Sequence, residues 1–368
     1  MATTDETNNE QQASNDQSNP QEHIAPNATP TDIGGSSEGA APTSDDINFK
    51  NRIDLSELQS GIDAIKNEIS KVIVGQKGMI DMLVASILAN GHSLIEGVPG
   101  VAKTVSAKLL AKSLDIGFSR IQFTPDLMPS DILGTSVFSM KTTEFEFKQG
   151  PIFSNMILID EINRAPAKTQ AALFEVMEER QITIDGQKFE MDLPFIVLAT
   201  QNPVEQEGTY RLPEAQLDRF LFKIDIDYPS AEEEVEILSR EHQLEGKKKL
   251  ADVQSHLSAD AIIKFQNLVN KIVVESHLLK YIADLIVNTR NNPFLYLGAS
   301  PRASIAILRA SKAFAAMAGR DFVTPEDIKR SAIPVLQHRV IVTPEREMEG
   351  VSSKQIIKQI IEAVEIPR

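Results

Sequence analysis

Residues 96–104 read Glu96-Gly97-Val98-Pro99-Gly100-Val101-Ala102-Lys103-Thr104. They follow a short apolar run, His92–Glu96, and precede a helical segment, Val105–Leu114. A strand that runs through a glycine-rich turn into a helix aims several backbone N–H groups at one point, with the positive end of the helix dipole behind them. That point suits phosphate oxygens. The phosphate-loop pattern is G-x-x-x-x-G-K-[ST]. Gly97, Lys103 and Thr104 fit it, and Ala102 stands where the second glycine is usual. Lys103 is expected to reach the outer phosphates, and the Thr104 hydroxyl to ligand Mg²⁺. The bland alternative is a plain turn between a strand and a helix, and the strand–turn–helix placement weighs against it.

Further along, Met156-Ile157-Leu158-Ile159-Asp160-Glu161 is an apolar run ending in two carboxylates. A carboxylate pair at the end of a buried strand is costly without a partner, and a metal supplies one. Asp160 is expected to hold Mg²⁺ and Glu161 to polarise an attacking water. A third apolar run, Phe195–Ala199, leads into Thr200-Gln201-Asn202-Pro203. Asn202 is the candidate for orienting that water, although an Asn before Pro is also ordinary turn chemistry. Leu217-Asp218-Arg219 stands just before a fourth apolar run, Phe220–Ile226. Arg219 is a candidate arginine finger, with Arg211 and Arg164 as weaker ones. Ser300-Pro301 opens a helix with Arg302 in its first turn. A cation there opposes the helix dipole, at a cost of ~0.3–1 kcal/mol, and a nearby anion such as a nucleotide phosphate reverses the sign.

Strands alternating with helical patterns, notably Ala167–Glu179, predict a parallel sheet with helices on both faces. After Tyr228 the pattern is helical, with start signals at Ser230–Glu233, Ser300-Pro301 and Thr324–Asp327. The expected domains are 1–47, a disordered acidic tail; 48–228, an α/β nucleotide-binding domain; and 229–368, a helical domain. Residues 1–49 hold nine carboxylates and neither Lys nor Arg, so residues 50–368 carry −6 of the net −15. An acidic chain is repelled by phosphate backbones and anionic lipid. The absence of cysteine excludes disulfides and Cys–zinc sites, and the six histidines lack metal-ligand spacing. No apolar run of ~18 residues predicts a membrane span, and the N-terminus has no secretory pattern. The cytoplasm is the expected location.

Taken together, these motifs resemble the AAA+ ATPases, and specifically the MoxR family within their helix-2-insert branch. The resemblance is carried by VIVGQ at 72–76, EGVPGVAKT at 96–104 and LIDEINRAPAKTQAALFEVMEE at 158–179, and by ATQNP at 199–203, LPEAQLDRF at 212–220 and GASPRA at 298–303. It covers about residues 50–368. It implies a P-loop AAA+ fold with a helical lid, ATP and Mg²⁺ as cofactors, and a nucleotide-promoted ring, hexamer-like. Val74, Gly75 and Gln76 would line the adenine site. Gly97, Val98, Pro99, Gly100, Val101, Ala102, Lys103, Thr104 and Val105 would hold the phosphates. Asn202 would be the first sensor, Arg302 the second sensor on the lid, and Arg219 the finger reaching a neighbouring subunit. ATP would lie between the α/β domain and the lid. Asp131–Phe147 resembles the hairpin inserted in helix 2, and Arg180–Phe189 the hairpin before the first sensor. Asp185-Gly186 is a hairpin turn on its own grounds. Family members are chaperone-like and often act with proteins carrying von Willebrand factor A domains.

Competing readings are a nucleic-acid motor, a metal-chelatase motor subunit and a nucleotide-gated scaffold. A nucleic-acid motor needs basic hairpins, and here Lys141 and Lys148 are offset by Glu144 and Glu146. The motif set fits the chelatase less well, and the intact Glu161 weighs against the scaffold.

Overall fold

Apolar runs of four to seven residues that stop at polar turns are the mark of strands buried on both faces. In the computed structural model they form one sheet. The structure describes residues 53–98, 100–203, 210, 212–243 and 253–366. The tail expected to be disordered, Pro99 and Arg211 lie outside the described residues.

In chain order the first elements are α1 (Ser56–Ser70), α2 (Lys77–Leu88), β1 (His92–Gly97), α3 (Lys103–Ser113) and β2 (Phe118–Gln122). Next come α4 (Pro129–Leu133), β3 (Gly134–Ser139), β4 (Glu144–Gln149), β5 (Met156–Asp160), α5 (Ala167–Glu179), β6 (Gln181–Ile184) and β7 (Gln187–Glu190). Then follow β8 (Ile196–Gln201), α6 (Glu214–Leu217), β9 (Phe220–Ile226), α7 (Ala231–Gln243), α8 (Ala259–Asn270) and α9 (Ser276–Asn291). The chain closes with β10 (Leu295–Leu297), α10 (Pro301–Met317), α11 (Pro325–Leu336), β11 (Ile341–Val342), α12 (Pro344–Met348) and α13 (Ser353–Ala363).

The sheet order is β2-β5-β8-β1-β9, and every pairing is parallel. All the strand ends that carry polar turns therefore face the same way. Four strands match the apolar runs. The fifth, β2 (Phe-Ser-Arg-Ile-Gln), is an edge strand and half exposed, so its polar composition hid it from a reading based on apolar runs.

Alternate strand residues serve two cores. Leu94, Ile157, Ile159 and Val197 pack with α5 residues Leu173 and Phe174 on one face. Ile95, Leu158, Leu198 and Phe222 pack on the other face with α3 (Leu109, Leu110). That second core also takes in Leu83 of α2, and Ile307 and Phe314 of α10. Phe222 of β9 and Phe314 of α10 meet with ring centroids 6.0 Å apart. The C-terminal helices thus share the sheet's core. Truncating Phe314 to Ala would cost roughly 3–5 kcal/mol.

Among the described residues the lid is helical apart from the antiparallel pair β10–β11. The capping box at Ser230–Glu233 forms, with Glu233 N donating to Ser230 Oγ at 3.3 Å and Ser230 N to Glu233 Oε2 at 2.9 Å. Both expected hairpins are present as β3–β4 and β6–β7. Asp185 and Gly186 both take positive φ, 51° and 78°, which a two-residue turn of matched twist requires.

Candidate functional site

The phosphate loop leaves β1 at Gly97, and α3 begins at Lys103. Ala102 is the residue before α3 and takes φ 61°. It carries the left-handed backbone that a glycine there would hold without strain. The Lys103 ammonium donates to the Gly97 carbonyl at 2.6 Å, across the loop. Burial pushes its pKa down, and Asp160, Glu161 and Glu96 push it back up. The Thr104 hydroxyl lies 3.4 and 3.5 Å from the two Asp160 carboxylate oxygens. A hydroxyl and a carboxylate are hard oxygen donors, and they face each other at the end of the sheet.

Val74, Gly75 and Gln76 come to the same end. Gln76 Nε2 donates to the Asp227 carbonyl at 3.1 Å, one residue past the Gly97–Ile226 strand pair. Gly75 has φ 67°, and a Cβ there would sit 2.2 Å from the Glu233 carboxylate.

Asp160 is buried, and Glu161 follows it with φ 57°. A glutamate held in the left-handed region is strained, and strain of this kind gathers at functional sites. Its backbone N–H donates to Thr200 Oγ1 at 3.0 Å, and that hydroxyl donates to Asp160 Oδ1 at 3.2 Å. Because β8 lies between β1 and β5, Thr200 and buried Asn202 stand between the phosphate loop and the carboxylates.

Thr200 went unread although it sits in the quoted ATQNP. Arg120 and Gln122 went unread as well. Arg120 Nε binds Asp160 Oδ2 at 2.6 Å, and Gln122 Nε2 donates to Glu161 Oε2 at 2.8 Å. Polar residues alternating at the end of β2 were the available signal, and they count only once β2 is seen as a strand. Arg164, a weaker finger candidate, pairs with Glu161 of its own chain at 3.2 Å.

Arg219 and Arg302 are elsewhere. Arg219 precedes β9, whose first residue Phe220 pairs with His92, the first residue of β1. Both arginines line a cavity with Asn90, Gly91 and His92. The phosphate loop begins at the opposite end of β1, about 16 Å away for five residue steps. Both arginines reach Glu178 of α5: Arg302 Nη2 at 2.8 Å, and Arg219 Nε at 3.6 Å. The anion expected beside Arg302 is, within this chain, the Glu178 carboxylate. Arg219 Nη1 also donates to the Phe174 carbonyl.

Next to Arg219, Asp218 is fastened to the lid. It accepts from Arg339 Nε at 2.7 Å and from the Ser300 hydroxyl at 3.1 Å. Ser300 precedes α10 as expected, but its hydroxyl serves Asp218 and makes no cap bond. Arg339 is almost wholly buried and also donates to the carbonyls of Asp218, Phe220, Leu221 and Val335.

Comparison with known proteins bears on this arrangement. Residues 92–222 match the family model described as ATPase family associated with various cellular activities (AAA), and residues 287–360 match the AAA lid domain. The uncharacterized protein YeaC of Bacillus subtilis is 45% identical over 81% of this chain and 92% of its own. Chaperone MoxR1 of Mycobacterium tuberculosis is 41% identical over 82% of this chain and 81% of its own. The crystal structure of an ATPase candidate from Cytophaga hutchinsonii is 46% identical and covers 85% of this chain and 97% of its own, with a TM-score of 0.79. A parallel sheet flanked by helices, a phosphate loop at its end and a helical lid thus go with relatives that share most of their length: this chain is a nucleotide-binding ATPase and belongs to the MoxR family of AAA+ ATPases.

Proposed function

We propose that this ATPase hydrolyses Mg²⁺-ATP at a site shared between subunits of a ring, hexamer-like, and that the cycle remodels or matures a client protein. One observation carries the shared site: Arg219 and Arg302 stand together at the end of β1 opposite Lys103, Asp160 and Glu161. A single chain therefore offers one half-site at each end of its sheet.

At the phosphate-loop end, residues 97–105 cradle the phosphates and Val74, Gly75 and Gln76 border the base. Thr104 and Asp160 would hold Mg²⁺, which when bound would screen negative charge on the phosphates. Glu161 takes the proton of the attacking water, and Asn202 orients that water. At the other end, Arg219 and Arg302 approach the terminal phosphate of the adjacent subunit. Residues 48–228 form the nucleotide-binding domain and 229–368 the lid, whose Arg302 thereby serves a neighbour.

The chaperone-like role draws on the name of the Mycobacterium tuberculosis relative. A client or co-factor protein with a von Willebrand factor A domain and a cytoplasmic location are part of the same reading. Among the described residues no helix is long and apolar enough to cross a membrane.

The test is ATPase activity against protein concentration for the native chain and Arg219→Ala. Specific activity that rises with concentration, with an Arg219→Ala protein that binds ATP but barely turns over, supports the shared site. Activity independent of both makes the protein a self-contained nucleotide switch.

A further inference from the structure

Arg219 and Arg302 are not alone in their cavity of about 300 Å³. Arg180, at the C-cap of α5, and Arg309, two turns beyond Arg302 on α10, line it as well. With Arg339, five arginines face two carboxylates, Glu178 and Asp218. Asp218 is engaged by Arg339, and Glu178 is divided between Arg219 and Arg302.

Among the described residues, Arg180 and Arg309 have no carboxylate partner. Arg180 Nη2 donates only to neutral acceptors, the Asn90 carbonyl at 3.1 Å and its side-chain oxygen at 2.9 Å. Its pKa is held down by burial and then by the charge of Arg309. Arg309 is exposed and has no ion pair or hydrogen bond among the described residues. Arg219 Nε is buried without a hydrogen-bond acceptor. Guanidiniums gathered this way repel one another and leave donors unused, so the arrangement does not serve the stability of the single chain. Four planar forks converging from the sheet's edge and from the lid fit an elongated ligand with several anionic oxygens.

We infer that this cavity is one seat for the whole phosphate chain of the nucleotide on the neighbouring subunit. Arg219 and Arg302 take the phosphate that transfers. Arg309 and Arg180 take oxygens that do not change during the reaction. The inference rests on the shared-site reading and adds Arg180 and Arg309 as binding residues for a nucleotide held by another subunit's loop. The division of labour has a kinetic signature. Contacts to the transferring phosphate act on kcat, whereas contacts equal in ground state and transition state act on KM alone.

The experiment is steady-state ATP hydrolysis by the full-length chain as Arg309→Ala, Arg309→Lys and Arg219→Ala, at protein concentrations where native activity has levelled off. Arg309 is exposed and partnerless, so its removal spares the fold. The KM for ATP should rise roughly tenfold in Arg309→Ala, with kcat changed by less than about twofold. Arg309→Lys should fall between, since it keeps the charge but not the fork. Adding Lys103→Ala chains, inactive alone but with an intact arginine face, should raise the activity of Arg309→Ala at low ATP. A native KM in Arg309→Ala, or no rescue by Lys103→Ala chains, overturns the inference. If Arg219→Ala is inert while Arg309→Ala keeps its native KM, the shared site stands and only the wider seat falls. If Arg219→Ala turns over like the native chain, the shared site itself falls.

Discussion

The two ends of β1 are built in opposite ways. At the Gly97 end the chemistry comes from short contiguous motifs: residues 97–105, then Asp160-Glu161, then Thr200–Asn202. It lies where strands stop, and it is laced by local polar bonds such as Thr200 to Asp160. At the His92 end the cations arrive singly from Arg180, Arg219, Arg302, Arg309 and Arg339, and the bonds from Arg302 to Glu178 and from Arg339 to Asp218 each cross more than a hundred residues of sequence. The first end is a motif, and the second exists only when the lid is docked. Chemistry that must bind a small fixed group can be written in one stretch of chain. Chemistry that would meet another subunit, as proposed for the second end, is assembled on a surface.

The largest effect expected is at the first end. Glu161→Gln should keep ATP binding and lower kcat by about 10²–10⁴-fold, as loss of a positioned base does. Single-turnover hydrolysis within tenfold of native would move the base elsewhere and break the contrast. At the second end, Arg339→Leu takes the ion-pair partner from Asp218 and the guanidinium donor from four carbonyls. It should cost about 3–5 kcal/mol, read as a drop in urea midpoint. A loss under about 1 kcal/mol would mean that the lid is held by its apolar core alone.

A third expectation concerns acid. His92, at the start of β1, accepts from Val197 N–H at its Nδ1 and therefore donates from Nε2 to the Met177 carbonyl. Burial pushes its pKa down to about 4, the Met177 bond opposes that, and Arg180 adds to the lowering. The unfolded imidazole takes a proton near pH 6.5, and the folded one waits until about 4. The stabilisation is therefore complete above pH 6.5 and is lost as pH falls towards 4, by about 3 kcal/mol in all. An NMR titration in which His92 protonates near 6.5 would remove that basis. The smallest effect belongs to the phosphate loop. Ala102→Gly should stabilise by no more than about 1 kcal/mol, since relief of the left-handed strain is offset by the entropy of an added glycine. A clear destabilisation would show that the Ala102 methyl packs in a way that outweighs its backbone.

The same contrast explains what could be read from sequence. Gly97, Lys103, Thr104, Asp160 and Glu161 were legible because a strand end and a helix start fix them locally. The sheet was legible for the same reason, except for β2, whose Ser119, Arg120 and Gln122 conceal an edge strand. With β2 unseen, the Arg120–Asp160 and Gln122–Glu161 bonds could not be anticipated. Arg302 was noticed for the dipole it opposes, but the anion beside it comes from Glu178, 124 residues earlier. Nothing local encodes that meeting. Arg180 reads from sequence only as the start of a hairpin, and Arg309 and Arg339 carry no signal at all, because a single arginine is ordinary until four others face it.

The Arg339–Asp218–Ser300 fastening has a mechanical corollary. The segment bearing Arg219 and the lid bearing Arg302 are clamped to one another and to the strand that flanks β1. On the proposed shared-site reading, sensing a neighbour and carrying one's own nucleotide would fall to one stiff unit. Within the proposed ring, a tilt at one arginine face would be carried along the sheet to the chain's own phosphate loop. Each subunit would then act as a rocker, passing displacement in one rotational direction, with any give located at the boundaries between chains.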